Sequence, residues 1–217
     1  DRIETRVTHQ KANPALAHKA LLADGSEALH SHTAHMSIID DSGMAVAYTS
    51  TIEQWFGSGI AVARHGFLLN NELTDFSAEP GKPNSPAAGK RPRSNMSPLL
   101  LFEGSKPVGV VGCAGGGRIP TIIVEMLENY YIHKMTLREA MAFPRFHPNE
   151  GKLEVDPSYP TSLPAKLKEA GYDVSIEKVG ATPHAMIRRT AADAWEAAAE
   201  PRADGMALLV EPLGRKK

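Results

Sequence analysis

An alternating pattern that turns back on itself predicts a β-hairpin near the start of the chain. Apolar and polar residues alternate over residues 35–40, an Asp-Asp-Ser-Gly turn signal follows, and residues 44–51 are typical of a second strand. Antiparallel strands joined by a short turn lie side by side, so the end of the second returns beside the start of the first. Thr33 heads the first strand and Thr51 closes the second. The pattern therefore sets two threonine hydroxyls next to each other.

A threonine at the head of a strand has a chemical use if the chain is cut just before it. The freed α-amine then takes the hydroxyl proton, so that nucleophile and base come from one residue. A threonine in this place is otherwise an ordinary β-branched strand residue, and a threonine pair across two strands is common in sheets. The hairpin alone does not separate these readings, and the rest of the chain has to decide whether Thr33 is a nucleophile.

Further motifs follow the hairpin in a fixed order. They are TIEQWFGSG at residues 51–59, LLNNELTDF at 68–76, KRPRSNMSP at 90–98, GCAGGGR at 112–118, PRFH at 144–147 and PRADG at 201–205. In this order and at these spacings, the set resembles the small-subunit region of the γ-glutamyltranspeptidase family. The resemblance covers nearly the whole chain after residue 32, and the sequence of residues 68–76 is most similar to the acylase-like and capsule-depolymerase-like branch.

The resemblance implies an α+β chain with the four-layer αββα fold of N-terminal-nucleophile hydrolases. Residues 1–32, rich in alanine, histidine, lysine and polar residues, resemble the tail of a large subunit that ends at a cleavage point. Residues 33–217 then form the catalytic small-subunit domain. The implied partner is a large subunit from the same precursor. Proteins of the family are often periplasmic or secreted.

The implied chemistry is acyl transfer from a γ-glutamyl amide. Thr33 matches the nucleophile, which first cuts the His32–Thr33 bond, and Thr51 matches a hydroxyl that hydrogen-bonds it. Gly115 and Gly116 match the glycines whose backbone amides form the oxyanion hole. Three glycines before a helix are also compatible with a phosphate cradle, but the segment lacks the Walker lysine spacing and the second glycine of a dinucleotide motif.

The implied substrate carries an α-amine and an α-carboxylate. Asp75 matches the acidic residue that binds the amine, and Glu53 and Glu72 fall on neighbouring positions. Ser94 and Asn95 match the hydroxyl pair that donates to the carboxylate, with Asn95 in place of a serine. Three acidic side chains around one pocket predict that the pKa of at least one carboxyl is raised.

Two local departures from the family pattern leave the predicted nucleophile in place. Ala34 stands where the family usually has a hydroxyl residue, and Cys113 with Ala114 replaces a usual Ser-Pro pair. Cys113 is predicted to be a packing residue, because the sequence offers it no histidine partner.

Three histidines near the cleavage point offer a metal-site alternative. His30, His32 and His35 form an H-x-H-x-x-H cluster, but side chains at a strand entry do not converge as they do on a helix. The resemblance implies neither a metal nor an organic cofactor.

The bulk composition excludes several partner classes. The chain has 24 basic and 25 acidic residues without long blocks of either sign, so its charge pattern does not indicate binding to nucleic acid or to an anionic membrane surface. One cysteine excludes an intrachain disulfide framework, and no run reaches transmembrane length. No signal peptide opens the chain, and localisation stays undetermined. A second class of function is an incomplete or inactive module that serves as a binding partner, or a related acylase.

The remaining pattern predicts further strands and helices. Residues 99–102 and 107–112 form a hairpin, residues 119–133, 137–143 and 162–170 form helices, and residues 172–176, 184–189 and 206–210 form strands. Thr136 and Glu139 make a capping box for the second helix. Residues 195–200 are alanine-rich, which favours a helix, while the family pattern implies a strand. Helices grouped between strands indicate stacked layers rather than a βαβ repeat.

Overall fold

The computed structural model describes residues 33–149, 151–189 and 194–210. Its elements are β1 (Thr33–Ile39), β2 (Ala45–Thr51), β3 (Leu99–Glu103), β4 (Lys106–Ala114), α1 (Ile119–Tyr131), α2 (Leu137–Ala142), β5 (Phe146–Asn149), β6 (Lys152–Val155), α3 (Ser162–Glu169), β7 (Asp173–Ile176), β8 (Thr182–Arg189) and β9 (Ala194–Ala199). Short 3-10 turns lie at Glu72–Asp75 and Gly116–Arg118. The predicted pre-cleavage segment, with His30 and His32, lies outside the described residues.

The predicted N-terminal hairpin is confirmed. Strands β1 and β2 are antiparallel, and their register pairs Thr33 with Thr51. The turn closes because the Asp40 carboxylate accepts the backbone N–H groups of Ser42 and Met44, each at 2.9 Å. This local hydrogen bonding is the usual way in which aspartate stabilises a turn.

The main sheet separates the hairpin from a pair of helices. Its strand order is β3-β4-β8-β9, with antiparallel neighbours throughout. The hairpin and helix α1 both pack against β4, and α2 packs against β9. Side chains alternate along β4: Val111 and Cys113 enter the helix-side core, while Gly112 between them faces His35 of the hairpin. The layers therefore run helix, sheet, hairpin.

The core between the helices and the sheet is apolar and tightly closed. It is formed chiefly by Val111, Cys113, Ile119, Ile122, Ile123, Met126, Leu137, Met141, Ile187 and Ala198. Helix α1 presents its apolar residues at helical spacing, with a proline in its first turn. In α2, the Thr136 hydroxyl accepts the Glu139 N–H at 3.3 Å, and the Glu139 carboxylate accepts the Thr136 N–H at 2.8 Å. The predicted capping box is confirmed.

A small third sheet is a feature that the sequence pattern did not predict. Its order is β5-β6-β7, with β5 antiparallel and β7 parallel to β6. Helix α3 connects the two parallel strands, which makes one βαβ unit beside the stacked layers. The prediction of stacked layers rather than a βαβ repeat is compatible with a single unit of this kind. Strands β5 and β6 were not predicted because they have four residues each, too few to show alternation.

The prediction of a strand over residues 206–210 is wrong. These residues form no strand, and Met206, Leu208, Leu209 and Val210 are each more than half exposed. Their apolar character suits a strand, but they pair with no neighbouring backbone within the described part of the chain. The ambiguous segment 195–200 is resolved in favour of β9, which pairs with β8 from Ala194 to Ala199.

A buried ion cluster joins two of the sequence motifs. Arg145, from PRFH, donates to Glu200 and to the carbonyls of Met141 and Ala181, both at 2.9 Å. Arg202, from PRADG, donates its Nε–H to the same carboxylate at 2.5 Å. Arg145 and Glu200 are both buried. The cluster ties the end of α2 to the ends of the main sheet.

No helix in residues 33–149, 151–189 and 194–210 is long and apolar enough to cross a membrane.

Candidate active site

The two threonine hydroxyls predicted to be neighbours are in contact. The Thr33 hydroxyl donates to the Thr51 hydroxyl at 3.2 Å, across the open end of the hairpin. Thr51 in turn accepts the backbone N–H of Glu53 at 2.9 Å. The hairpin register therefore holds a threonine hydroxyl at a strand end, where a second hydroxyl and the next loop fix its direction.

The glycine loop follows β4, the strand on which the hairpin packs. Gly115 has φ 156° and ψ 17°, and Gly116 has φ 58°. A β-carbon on Gly115 would lie 2.8 Å from the β-carbon of Ala181, so this position has neither the conformation nor the space for another residue. Gly115 is partly exposed and Gly116 exposed. This bend before α1 is of the kind that turns consecutive backbone N–H groups toward one point.

The loop after β2 carries the first of the acidic side chains. Glu53 has φ 73°, unusual for a residue with a side chain, and its carboxylate accepts from the Asn71 amide at 2.9 Å and the Thr74 hydroxyl at 3.2 Å. Asn71 also accepts the N–H of Gln54 at 3.0 Å. These bonds link the loop after Thr51 to the 3-10 turn that bears the other two carboxylates.

Glu72 and Asp75 share that turn, and both are partly buried. The pKa of Glu72 is raised first by burial and then by the negative charges of Asp75 and Glu53. Its Oε1 is buried without a hydrogen-bond partner among the described residues. The predicted rise of one carboxyl pKa in this group is confirmed. The cluster offers a place where a cation would relieve both the charge repulsion and the missing hydrogen bond.

The two residues predicted to contact a carboxylate are exposed, in the segment before β3. The Ser94 hydroxyl accepts the N–H of Met96 at 3.2 Å. The Asn95 side-chain amide lies beside the glycine loop, with its Nδ2 4.0 Å from the place of a β-carbon on Gly117. Asn95 therefore lies beside the glycine loop. Glu53 lies beside Thr51 and close to the carboxylates of Glu72 and Asp75.

The remaining reactive side chains are engaged or buried. Both ring nitrogens of His35 are hydrogen-bonded, Nδ1 to Thr49 at 2.7 Å and Nε2 to Ser37 at 2.9 Å. Neither nitrogen is left for a metal. Cys113 is fully buried, and burial raises the pKa of its thiol to about 12, which confirms that it is a packing residue. Within the described residues, no three histidine, cysteine, aspartate or glutamate side chains are grouped so that they could hold a metal ion.

Sequence reasoning missed the side chains that support the site. Asn71 and Thr74 hold Glu53, although both lie inside a motif quoted for its acidic residues. His35 was considered only as a metal ligand, and Gly112 was given no role. Strand alternation was the signal that could have found His35, because the residues two and four positions after Thr33 lie on the same inward face of β1 as Thr33 itself.

Comparison with known proteins places this geometry in a family. A family model described as gamma-glutamyltranspeptidase matches residues 1–210. The glutathione hydrolase proenzyme of Bacillus subtilis (strain 168) is 38% identical over 152 residues, which cover 70% of this chain and 25% of that protein. That of Pseudomonas aeruginosa is 36% identical over 195 residues, which cover 83% of this chain and 35% of that protein.

A solved structure extends the comparison to the fold. The gamma-glutamyltranspeptidase from Pseudomonas nitroreducens complexed with L-DON matches with a TM-score of 0.74 at 33% identity, over 82% of this chain and 99% of that chain. The chain spans about a quarter to a third of the length of the two curated relatives. The predicted α+β N-terminal-nucleophile hydrolase fold is confirmed. The family match over residues 1–210 shows that this chain belongs to the gamma-glutamyltranspeptidase family.

Proposed function

We propose that this chain is the small-subunit part of a γ-glutamyl amide hydrolase or transpeptidase. The observation that carries the proposal is the hydroxyl of Thr33, bonded to Thr51 at 3.2 Å at the head of the hairpin. This is the place where the resemblance implies the nucleophile. The similarity to glutathione hydrolase proenzymes supports the same reaction class.

The reaction is acyl transfer in two steps. The Thr33 oxygen attacks the γ-carbonyl carbon, its proton passes to the α-amine of the same residue, and the amine of the substrate leaves with that proton. Water or a second amine then attacks the ester and releases the γ-glutamyl group. Before that, the same oxygen attacks the carbonyl carbon of the His32–Thr33 peptide; the C–N bond breaks, and the hydroxyl proton goes to the released α-amine. Water then hydrolyses the resulting ester, which frees the Thr33 hydroxyl and sets the boundary between residues 1–32 and the catalytic domain.

Gly115 and Gly116 supply the oxyanion hole in this proposal. Each attack puts negative charge on the former carbonyl oxygen, and two fixed backbone N–H groups stabilise that charge without reorganisation. The positive φ angles of both glycines support this role. Thr51 holds the nucleophile through the bond between the two hydroxyl groups.

The substrate is a γ-glutamyl compound held at its amino-acid end. Asp75, with Glu53 and Glu72 beside it, binds the α-ammonium, because burial and then the repulsion among the carboxylates raise the Glu72 pKa, and the cation offsets that repulsion. Ser94 and Asn95 donate to the α-carboxylate. The position of Asn95 beside the glycine loop supports a carboxylate site next to the scissile bond.

A large subunit from the same precursor is the proposed partner. The chain matches a minor part of each proenzyme. The outward face of the hairpin is apolar and exposed at Met36, Ile38, Val46 and Tyr48. An apolar strand face of this kind is normally covered by another layer of structure.

Replacement of the nucleophile tests the proposal. Thr33→Ala in the full-length precursor should abolish cleavage at His32–Thr33 and lower hydrolysis of a γ-glutamyl anilide by about 10³-fold or more. Mass spectrometry and anilide release measure the two losses. Ser105→Ala, a hydroxyl deletion at the exposed turn between β3 and β4, is the control and should leave both reactions unchanged.

Two outcomes would contradict the proposal. Full hydrolysis by Thr33→Ala would remove Thr33 from the chemistry. An intact wild-type precursor that hydrolyses no γ-glutamyl compound would favour a binding module. In the active case, a panel of glutathione, poly-γ-glutamate and an acylated side-chain amide identifies the substrate.

A further inference from the structure

His35 lies at the centre of the inner face of the hairpin. It follows Thr33 by two residues, so both side chains lie on the face of β1 that packs against the main sheet. The imidazole is buried. Its two nitrogens reach Thr49 on the partner strand and Ser37 on its own strand.

Both ring nitrogens of His35 are bonded to hydroxyl groups: Nδ1 lies 2.7 Å from the Thr49 hydroxyl and Nε2 lies 2.9 Å from the Ser37 hydroxyl. The Ser37 hydroxyl also donates to the carbonyl of His184 in β8, at 3.4 Å, which favours the tautomer that carries its proton on Nε2. The bonds run from β2 through β1 to β8, and either neutral tautomer uses both nitrogens.

The ring occupies space that only a glycine leaves open. A β-carbon built on Gly112 would overlap the His35 ring at Cε1, Nδ1 and Nε2. The imidazole therefore rests directly on the backbone of β4. Gly112 stands three residues before Gly115 on the same strand and loop, so the contact joins the strand of the nucleophile to the strand of the glycine loop.

We propose that His35 is a positioning residue: its ring, seated on Gly112, sets the strand that begins at Thr33 against the strand that leads to Gly115. The inference rests on the proposed function, in which these two residues act together. It assigns His35 no proton transfer, since both nitrogens are committed to structural hydrogen bonds. Burial and the neighbouring His184 lower the pKa of His35 to about 4, and burial also lowers that of His184. The ring therefore stays neutral at physiological pH.

A side chain at position 112 tests the contact between the His35 ring and the backbone of β4. Gly112→Ala should push the ring and β1 away from β4, and lower both kcat and the rate of self-cleavage by about 10²-fold, the effect of a displacement near 1 Å. KM should change by less than about threefold, because Asp75 and its neighbours lie on other elements. Gly109→Ala is the matched control: it lies on the same strand, and the atoms nearest to its β-carbon would be side-chain atoms of Leu101 and Ile187, at 3.0 Å or more.

Removal of the ring should relieve the clash. The double variant His35→Ala with Gly112→Ala should regain about tenfold of the kcat that Gly112→Ala loses, which is a coupling expected only for residues in contact. His35→Gln, which can both donate and accept, should stay within about tenfold of wild type and keep the pH profile of kcat.

The results separate this inference from the proposed function. An inactive wild-type precursor refutes the proposed function, and the inference falls with it. An active wild type in which Gly112→Ala equals Gly109→Ala refutes the inference alone. Loss of a titrating limb of kcat in His35→Gln would make His35 a general base instead. If Gly112→Ala does not fold, as judged by circular dichroism, the double variant is compared with wild type instead: a folded and active double variant supports the contact, and an unfolded one contradicts it.

Discussion

At the residue scale, Asp75 tests whether binding and self-cleavage use separate parts of the site. Asp75→Ala should weaken binding of a γ-glutamyl compound by about 2–4 kcal/mol if the charge pair is desolvated. Self-cleavage at Thr33 should persist, because that step involves no glutamyl amine. KM and the mass of the processed chain measure the two effects. Lost processing with unchanged KM would show that Asp75 is not the amine anchor.

The pH dependence of binding follows from the same residues. The pKa of Glu72 is raised by burial, Asp75 and Glu53, so its carboxylate takes up a proton as pH falls, before an ordinary glutamate does. Attraction for an ammonium group is then lost, and KM should rise as pH falls through that raised pKa. The control is Glu72→Gln, which has no such proton to gain and should show a flatter KM profile. An identical rise in both proteins would exclude Glu72.

At the element scale, Glu125 places a titrating carboxyl on α1. Burial raises its pKa to about 7, and the carboxylate accepts the N–H of Phe146 at 3.1 Å. A folded-state pKa above the unfolded value means that stability falls as pH rises from about 4.5 to about 7.

Glu125→Gln removes this loss. Discounted for partial exposure, the gain in stability at pH 8 is about 1–2 kcal/mol, which corresponds to a rise in Tm of about 2–8 °C. At pH 4.5 the Tm should be nearly unchanged. Glu169→Gln, at an exposed position of α3, is the control and should change Tm little at either pH. Equal Tm shifts at both pH values would contradict the titration argument.

Elements with strong local signals were predictable from the sequence. The hairpin β1–β2 has alternation and a turn aspartate, and α2 has both partners of its capping box. Strands β5 and β6 were not predictable, because four residues carry too little periodicity. Residues 206–210 have the composition of a strand but lack a neighbouring strand. The same distinction applies to the site. The contact between Thr33 and Thr51 is predictable from the register of the hairpin, whereas the bond from Asn71 to Glu53 depends on how two loops pack together.

At the scale of the whole molecule, the Arg145–Glu200 cluster holds several elements at once. Glu200→Gln should cost about 3–5 kcal/mol, because it leaves the buried charge of Arg145 without its counter-ion. Chemical denaturation followed by circular dichroism measures the loss. Glu79→Gln breaks an exposed ion pair with Lys82 and should cost less than about 1 kcal/mol. Equal losses in the two variants would show that the buried cluster is dispensable.

The register of the hairpin also sets an order of events during folding. Thr33 and Thr51 are 18 residues apart, and a hairpin of this span closes within microseconds. The glycine loop depends on the pairing of β4 with β8, in which Ala114 meets Thr182 across 68 residues, and such distant contacts form later. The hydroxyl pair is thus assembled before the groups that would stabilise its oxyanion. In the proposed self-cleavage, this order would keep a nascent chain from cutting itself at His32–Thr33 before its sheet is complete.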